Sequence, residues 1–242
     1  MWPLTRQRDR RRFFSSSRWT PAQLGSALAL WLDASDAGTV VLNGSTVSQW
    51  SDKSGNNKNA VQATASLQPA YSLTGFNGLR PGLAFDGVND FMTVAGLPII
   101  AQPMSVAIVM NDYVGGTGDA NLYRSSGAGA VGYRASGTSW TIFAGVVLNS
   151  AEAYIVTPTI RHDIYNGSSS QIRRDGTAYI TGDAGNNGLV NAGNSFNIGA
   201  GTAGGSPSSV KMGEFLILNR TLTTGETQSL EGYLAWKWSG WI

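Results

Sequence analysis

The sequence predicts an all-β protein, and three observations carry that prediction. Its 31 glycines, with abundant Ser, Thr and Asn, are spread through 242 residues between short apolar runs, as many brief strands joined by turns require. Charged residues make up 13% of the chain, well below the usual quarter, while hydrophobic residues at 42% are enough for a core. The third is Met104 to Met110, apolar on both faces apart from Ser105, the pattern of a strand buried between two layers.

In chain order, Thr20-Pro21-Ala22-Gln23-Leu24 reads as a helix start of a turn or two, with Thr20 as cap and Pro21 at the first helical position. Ala27 to Leu32 is the first strand, Asp33 to Asp36 a loop, Val47 to Trp50 a strand, and Ser51 to Asn57 a polar turn segment. Pro69 to Tyr71 and Arg80 to Phe85 lead into Leu83 to Met92, two apolar segments around an acidic corner that predicts a chain reversal. Gly87 suits a positive φ there, and Asp86, Asn89 and Asp90 can accept from their own backbone. Val131 to Arg134, Trp140 to Leu148 and Ala153 to Thr157 continue as strands, followed by His162 to Tyr165 and Gln171 to Arg174. Asp175-Gly176 predicts a two-residue hairpin turn into Thr177 to Ile180. Ser195 to Gly199 and Val210 to Leu218 are the last strands. Thr223 and Glu226 stand at capping-box spacing, and Leu230, Leu234 and Trp238 recur every four residues, predicting a C-terminal helix. No linker splits residues 20–242, so they are expected to form one domain.

The absence of cysteine excludes disulfides and thiolate metal sites, and a histidine triad would have to use His162, the sole histidine. The net charge of +2 conceals a division. Residues 1–20 hold six arginines against Asp9, whereas the rest of the chain carries eleven basic and fourteen acidic residues. Residues 1–19 therefore read as an extended basic arm with no period of their own. Arg10, Arg11, Arg12, Phe13 and Phe14 resemble a twin-arginine export signal, but Leu24 to Leu32 runs straight into the first strand and no small-residue cleavage site follows. Phosphate binding by a few arginines is weak and salt-sensitive, so nucleic acid is not the expected partner. The expected use is docking onto another protein through Trp2, Arg6, Arg8, Arg10, Arg11, Arg12, Phe13, Phe14, Arg18 and Trp19. No run of 18 apolar residues predicts a membrane span.

Several ordered motifs resemble one family. They are Ala29-Leu30-Trp31-Leu32-Asp33-Ala34-Ser35, Val47 to Asn56, Gln68-Pro69-Ala70-Tyr71, Phe85-Asp86-Gly87-Val88-Asn89-Asp90, Gly213 to Arg220 and Glu231 to Trp238. Together, over roughly residues 20–242, they resemble the concanavalin A-like, laminin G-like jelly-roll domains of phage and bacterial surface proteins. The resemblance implies two antiparallel sheets packed face to face, with binding loops along an edge or on the concave side. The fold alone does not fix a function.

Sugar cleavage needs two carboxyls facing one bond, yet none of Glu152, Glu214, Glu226 and Glu231 lies within three residues of another acid, and the E-x-D-x-x-E arrangement of glycosidases with this sandwich is absent. Glu214 is expected to be partly buried and paired with Arg220 or a backbone amide, and His162 to be structural or on the surface. Gly199 to Gly205 reads as loop. Candidate glycan contacts are Trp50, Tyr71, Asp86, Asn89 and Trp140, an aromatic and amide set. Candidate calcium ligands, should the early loops converge, are Asp33, Asp36, Asp52, Asp86 and Asp90 with Asn89. The leading expectation is a non-enzymatic bacteriophage virion protein (capsid decoration, collar or tail-associated), anchored through its arm to other virion proteins in a larger symmetric assembly. The alternative is a carbohydrate-binding adhesin or receptor-binding module, secreted or at a cell surface, that recognises host glycans, with calcium as a candidate cofactor.

Overall fold

The computed structural model describes residues 19–76, 78–111, 120–126, 132–136, 139–150, 157–189 and 195–238, with the backbone alone described at 132–136. Arm residues 1–18, and 153–156 of the strand expected over Ala153 to Thr157, lie outside the described residues. A 3-10 turn over Pro21–Ala27 opens the chain, and Thr20 N donates to Gln23 Oε1 at 3.1 Å. It leads into β1 (Leu28–Asp33), β2 (Val40–Asn43), β3 (Thr46–Trp50), β4 (Ala60–Val61), β5 (Ala70–Phe76), β6 (Arg80–Asp86) and β7 (Met92–Val94). Then come β8 (Met104–Asn111), β9 (Ala120–Ser125), β10 (Gly132–Ser136), β11 (Ser139–Phe143) and β12 (Val147–Asn149). The chain continues through β13 (Thr159–Tyr165), β14 (Ser170–Arg174), β15 (Thr177–Gly182), β16 (Phe196–Ile198) and β17 (Ser209–Leu218), and ends in helix α1 (Thr224–Trp238).

Every pairing among the described residues is antiparallel. In the first sheet β17 lies between β8 and the successive partners β1 and β6, with β5 beyond β6 and β13, β14 and β15 beyond β8. The second sheet runs β2-β3-β4-β7-β16-β9-β10-β11-β12. Among the described residues one ladder pair, Thr46 with Ala70, links the two. This is an all-β jelly-roll sandwich closed by a short C-terminal helix.

The acidic corner does not close a hairpin. β6 belongs to the first sheet and β7 to the second, so residues 86–91 carry the chain across the sandwich. Asp86 Oδ1 accepts from the N–H groups of Val88, Asn89 and Asp90 at 2.8, 3.1 and 3.2 Å. Gly87 takes φ +76, and a Cβ there would stand 2.8 Å from the Ser209 side chain, so the crossing needs glycine on both counts. Trp140 to Leu148 is two strands rather than one. Ala144 leaves the ladder because its N–H donates to Ala184 O at 2.7 Å and its carbonyl accepts from Asn187 N at 2.8 Å.

Side-chain alternation sorts the residues of the first sheet. Met104, Val106, Ile108 and Met110 of β8, with Phe215 and Ile217 of β17, face the second sheet and meet Trp50, Trp140, Tyr123 and Phe196. Ala107, Val109, Leu216 and Leu218 face outward and are covered by Leu230, Leu234 and Trp238 of α1, with Leu24 and Trp31. Glu214 lies on that outward face, fully buried. Trp31 Nε1 and Trp238 Nε1 each donate to its carboxylate at 2.6 Å, and Lys237 Nζ donates at 2.8 Å. Arg220, its expected partner, instead forks onto Glu226. Lys237 also pairs with Asp33 at 2.7 Å, and Lys53 bridges Asp33 and Asp36, each at 2.8 Å. Burial raises the pKa of Glu214, with Lys237 opposing.

The inter-sheet core also holds a polar cluster from β9 and β13. Tyr123 Oη donates to Asp163 Oδ2 at 3.2 Å and lies 2.6 Å from Tyr165 Oη. The guanidinium of Arg161 stacks 4.8 Å from the Trp140 ring. Asp163 is fully buried and its Oδ1 has no hydrogen-bond donor. Burial pushes its pKa up to about 7 despite Arg161 and Tyr123, which favour the charged form.

Two outcomes follow from these buried acids. Glu214→Ala leaves two buried indole N–H groups and an ammonium without their shared acceptor, and is expected to cost about 3 kcal/mol, read as a lower urea midpoint at unchanged m. An Asp163 that is acidic when unfolded but held neutral when folded stabilises the protein fully at low pH and loses that contribution as pH rises from about 4 to about 7. Asp163→Asn should therefore flatten the fall in melting temperature between pH 5 and pH 8. An unchanged slope would refute the assignment.

Candidate functional site

The N-terminal end of α1 overhangs the outer face of β13 and β14, and a cleft of about 410 Å³ opens beneath it. Its floor follows from strand register. Ile164 lies opposite Gln171 and His162 opposite Arg173, and alternation turns all four outward. The turn from Asn166 to Ser169 closes one end, while Thr221, Leu222 and the first turns of α1 form the wall. Thr224, Thr227, Gln228 and Glu231 fall on one stripe of that helix because residues three and four apart are neighbours.

The charges at the cleft are balanced within the protein. Arg173 donates from Nε to Glu231 Oε1 at 2.7 Å and from Nη2 to Glu231 Oε2 at 2.9 Å. Nη2 also donates to the Gly176 carbonyl at 3.0 Å. His162 Nδ1 stands 3.1 Å from Glu231 Oε1, in a ring that is 1% exposed. Burial opposes a charge on Glu231, but the hydrogen bonds from Arg173 and His162 prevail and hold its pKa at about 2. At the start of the helix, Arg220 forks onto Glu226 at 2.9 and 2.8 Å, which chiefly holds that carboxyl at about 2.

The uncharged polar groups are not balanced in this way. Among the described residues, the side chains of Asn166, Ser169, Gln171, Thr224, Thr227 and Gln228 make no hydrogen bond to the protein, yet all line the cleft. Thr227 is 8% exposed, and its side chain lines the cleft. Polar groups without an internal partner are completed by water or by a ligand. The cleft thus offers a ring of groups that both donate and accept around a small apolar floor.

The glycan residues expected from sequence do not converge. Trp50 and Trp140 are fully buried in the inter-sheet core, where no sugar can stack on them. Tyr71 donates its hydroxyl to Ala34 O at 3.0 Å, and Asp86 and Asn89 serve the inter-sheet crossing. None of the five lines the cleft. The calcium candidates are not gathered into one site among the described residues, and most of their oxygens are engaged within the protein. Asp33 and Asp36 are neutralised by Lys53, and Asp33 by Lys237 as well. Asp52 accepts from the N–H groups of Trp31, Ser54 and Lys58. Asp90 Oδ2 accepts from Asp86 N at 3.0 Å. Among the described residues no three acidic or histidine side chains gather as a metal site. Trp19, expected to anchor a partner, sets its ring edge-on to Tyr233 of α1 at 6.0 Å. A second groove of about 390 Å³ lies at the β14–β15 turn, but Arg174 already covers Tyr179 there, 4.2 Å from the ring.

No protein-family model matches the sequence, and a search of curated proteins finds no match. Solved structures match in fold. Trypanosoma rangeli sialidase in complex with sialic acid superposes with a TM-score of 0.57 at 16% identity, over 87% of this chain and 33% of the sialidase chain. The binding domain of Paraclostridial Mosquitocidal Protein 1 gives 0.62 at 13% identity, over 88% of this chain and 53% of that one. Domain 4 of a GH43 extracellular arabinanase from Geobacillus stearothermophilus, in complex with arabinotriose, gives 0.61 at 13% identity, over 84% of this chain and 98% of that domain. The chain therefore has the architecture of a β-sandwich of jelly-roll type, and it spans about a third of the sialidase chains. These matches correct the expectation that the protein is not an enzyme. Sialidases are enzymes and carry this fold, so neither the sandwich nor a missing glycosidase motif separates binding from catalysis.

Proposed function

We propose that residues 20–242 form a carbohydrate-binding domain, secreted or displayed at a cell surface, and that the cleft between α1 and the β13–β14 hairpin is its sugar site. The observation that carries this reading is the set of six hydroxyl and amide side chains that line the cleft without an internal partner. A saccharide hydroxyl both donates and accepts, and it complements such groups one for one. Ile164 and Leu222 supply the apolar patches against which a sugar ring can lie. The arabinanase domain that shares the fold was solved with arabinotriose, which supports the sandwich as a scaffold for saccharide contacts. The virion role and its partners rested on the family resemblance together with the basic arm; residues 1–18 of that arm lie outside the described residues, and none of the structures compared above is a virion component. Among the described residues no helix is long and apolar enough to cross a membrane.

A glycan array with the full chain tests the reading, followed by calorimetric titration of the best ligand. Replacing Gln171 and Gln228 together by Ala removes two hydrogen bonds worth about 1 kcal/mol each and should weaken binding at least about tenfold. The melting temperature should stay unchanged, because neither side chain bonds to the protein. Unaltered affinity in the double variant would move the site elsewhere on the sandwich.

A further inference from the structure

Resting on that reading, we infer from the internal charge balance of the cleft that its ligand is an uncharged saccharide, not a uronate, sialylated or sulfated glycan. Among the described residues, the single charged side chain on the lining is Arg173. Its Nε and Nη2 are forked onto the Glu231 carboxylate at 2.7 and 2.9 Å, and that carboxylate also takes His162. The next cation along the wall, Arg220, is forked in the same way onto Glu226. An anionic sugar entering here would meet cations whose charge is already cancelled at contact distance. It would also give up its own hydration, which is costly for a carboxylate or sulfate lacking a dedicated counter-charge.

The groups that remain to be completed are neutral. Asn166, Gln171 and Gln228 each carry an amide that donates and accepts, and Ser169, Thr224 and Thr227 each carry a hydroxyl that does the same. Among the described residues no carboxylate lines the cleft to accept from a ligand cation either. Recognition would thus proceed by hydrogen bonds and shape, and affinity would depend little on ionic strength.

The test is affinity electrophoresis of the full chain through gels containing neutral polysaccharides (a glucan, a mannan, a galactan and an arabinan) or acidic ones (polygalacturonate, alginate and heparin). Each gel is run at 20 and 500 mM NaCl. Retardation by at least one neutral polymer, altered less than about twofold by salt and lost in the Gln171→Ala, Gln228→Ala double variant, is the expected result. Preferential retardation by an acidic polymer that is lost in the double variant, whose arginine arm is intact, or loss in high salt of most of the binding to the neutral polymers, would overturn the uncharged-ligand inference while leaving a carbohydrate-binding domain in place. Retardation by none of the polymers, together with a blank glycan array, would overturn both.

Discussion

The buried carboxylate of Glu214 ties the C-terminal helix to the sandwich. Two indole N–H groups, from Trp31 on β1 and Trp238 at the end of α1, and the ammonium of Lys237 converge on its two oxygens. Those donors come from the start and the end of the described residues. A carboxyl group in so apolar a setting is tolerated only with such a set of donors, and removing any one leaves the others poorly compensated. The helix is consequently held in one position over the outer face of the first sheet, with Leu230 and Leu234 covering Ala107, Val109 and Leu216. Gly213, beside the glutamate, accommodates this closeness, since a Cβ there would stand 2.6 Å from the Trp238 ring.

The cleft is a consequence of that docking. α1 extends past the apolar patch it covers, so its first two turns project over the β13–β14 hairpin without burying it. A second buried anchor, Glu231 with Arg173 and His162, sets the separation at the point where helix and hairpin touch. Beyond that anchor the facing groups are polar and unpaired. The ion pairs thus position the cleft and also remove charge from it. Structural and recognition roles are divided between residues on the same stripe of one helix, with Glu231 facing the protein and Gln228 and Thr224 facing the opening.

The polar cluster of Tyr123, Asp163, Tyr165, Arg161 and Trp140 has a different place in the architecture, because it lies in the inter-sheet core where the surroundings are apolar. Burial shifts Asp163 toward its neutral form, so the core accommodates it as an uncharged hydrogen-bonding group. It couples stability to pH without taking part in the cleft.

Much of the fold was legible in the sequence because strands and helices signal themselves locally. The two-sided apolar run of β8, the Asp175-Gly176 hairpin and the four-residue spacing of Leu230, Leu234 and Trp238 each depend on neighbours within a few residues. The short strands β4 and β7, two and three residues long, are too brief to show a period. The acidic corner at Asp86 declared a turn but not that the turn crosses between sheets, since that depends on which distant strand each flank pairs with. The site was less legible. Tryptophan in a strand has the same letter whether it stacks on a sugar or fills a core, and only packing put Trp50 and Trp140 inside. Gln171 and Gln228 are unremarkable polar residues 57 positions apart. Local periodicity thus determined by itself that this chain would make strands and a closing helix. The tertiary structure alone decided that the helix overhangs the β13–β14 hairpin, because the contacts that place it there join Glu231 to Arg173 and His162, 58 and 69 positions away.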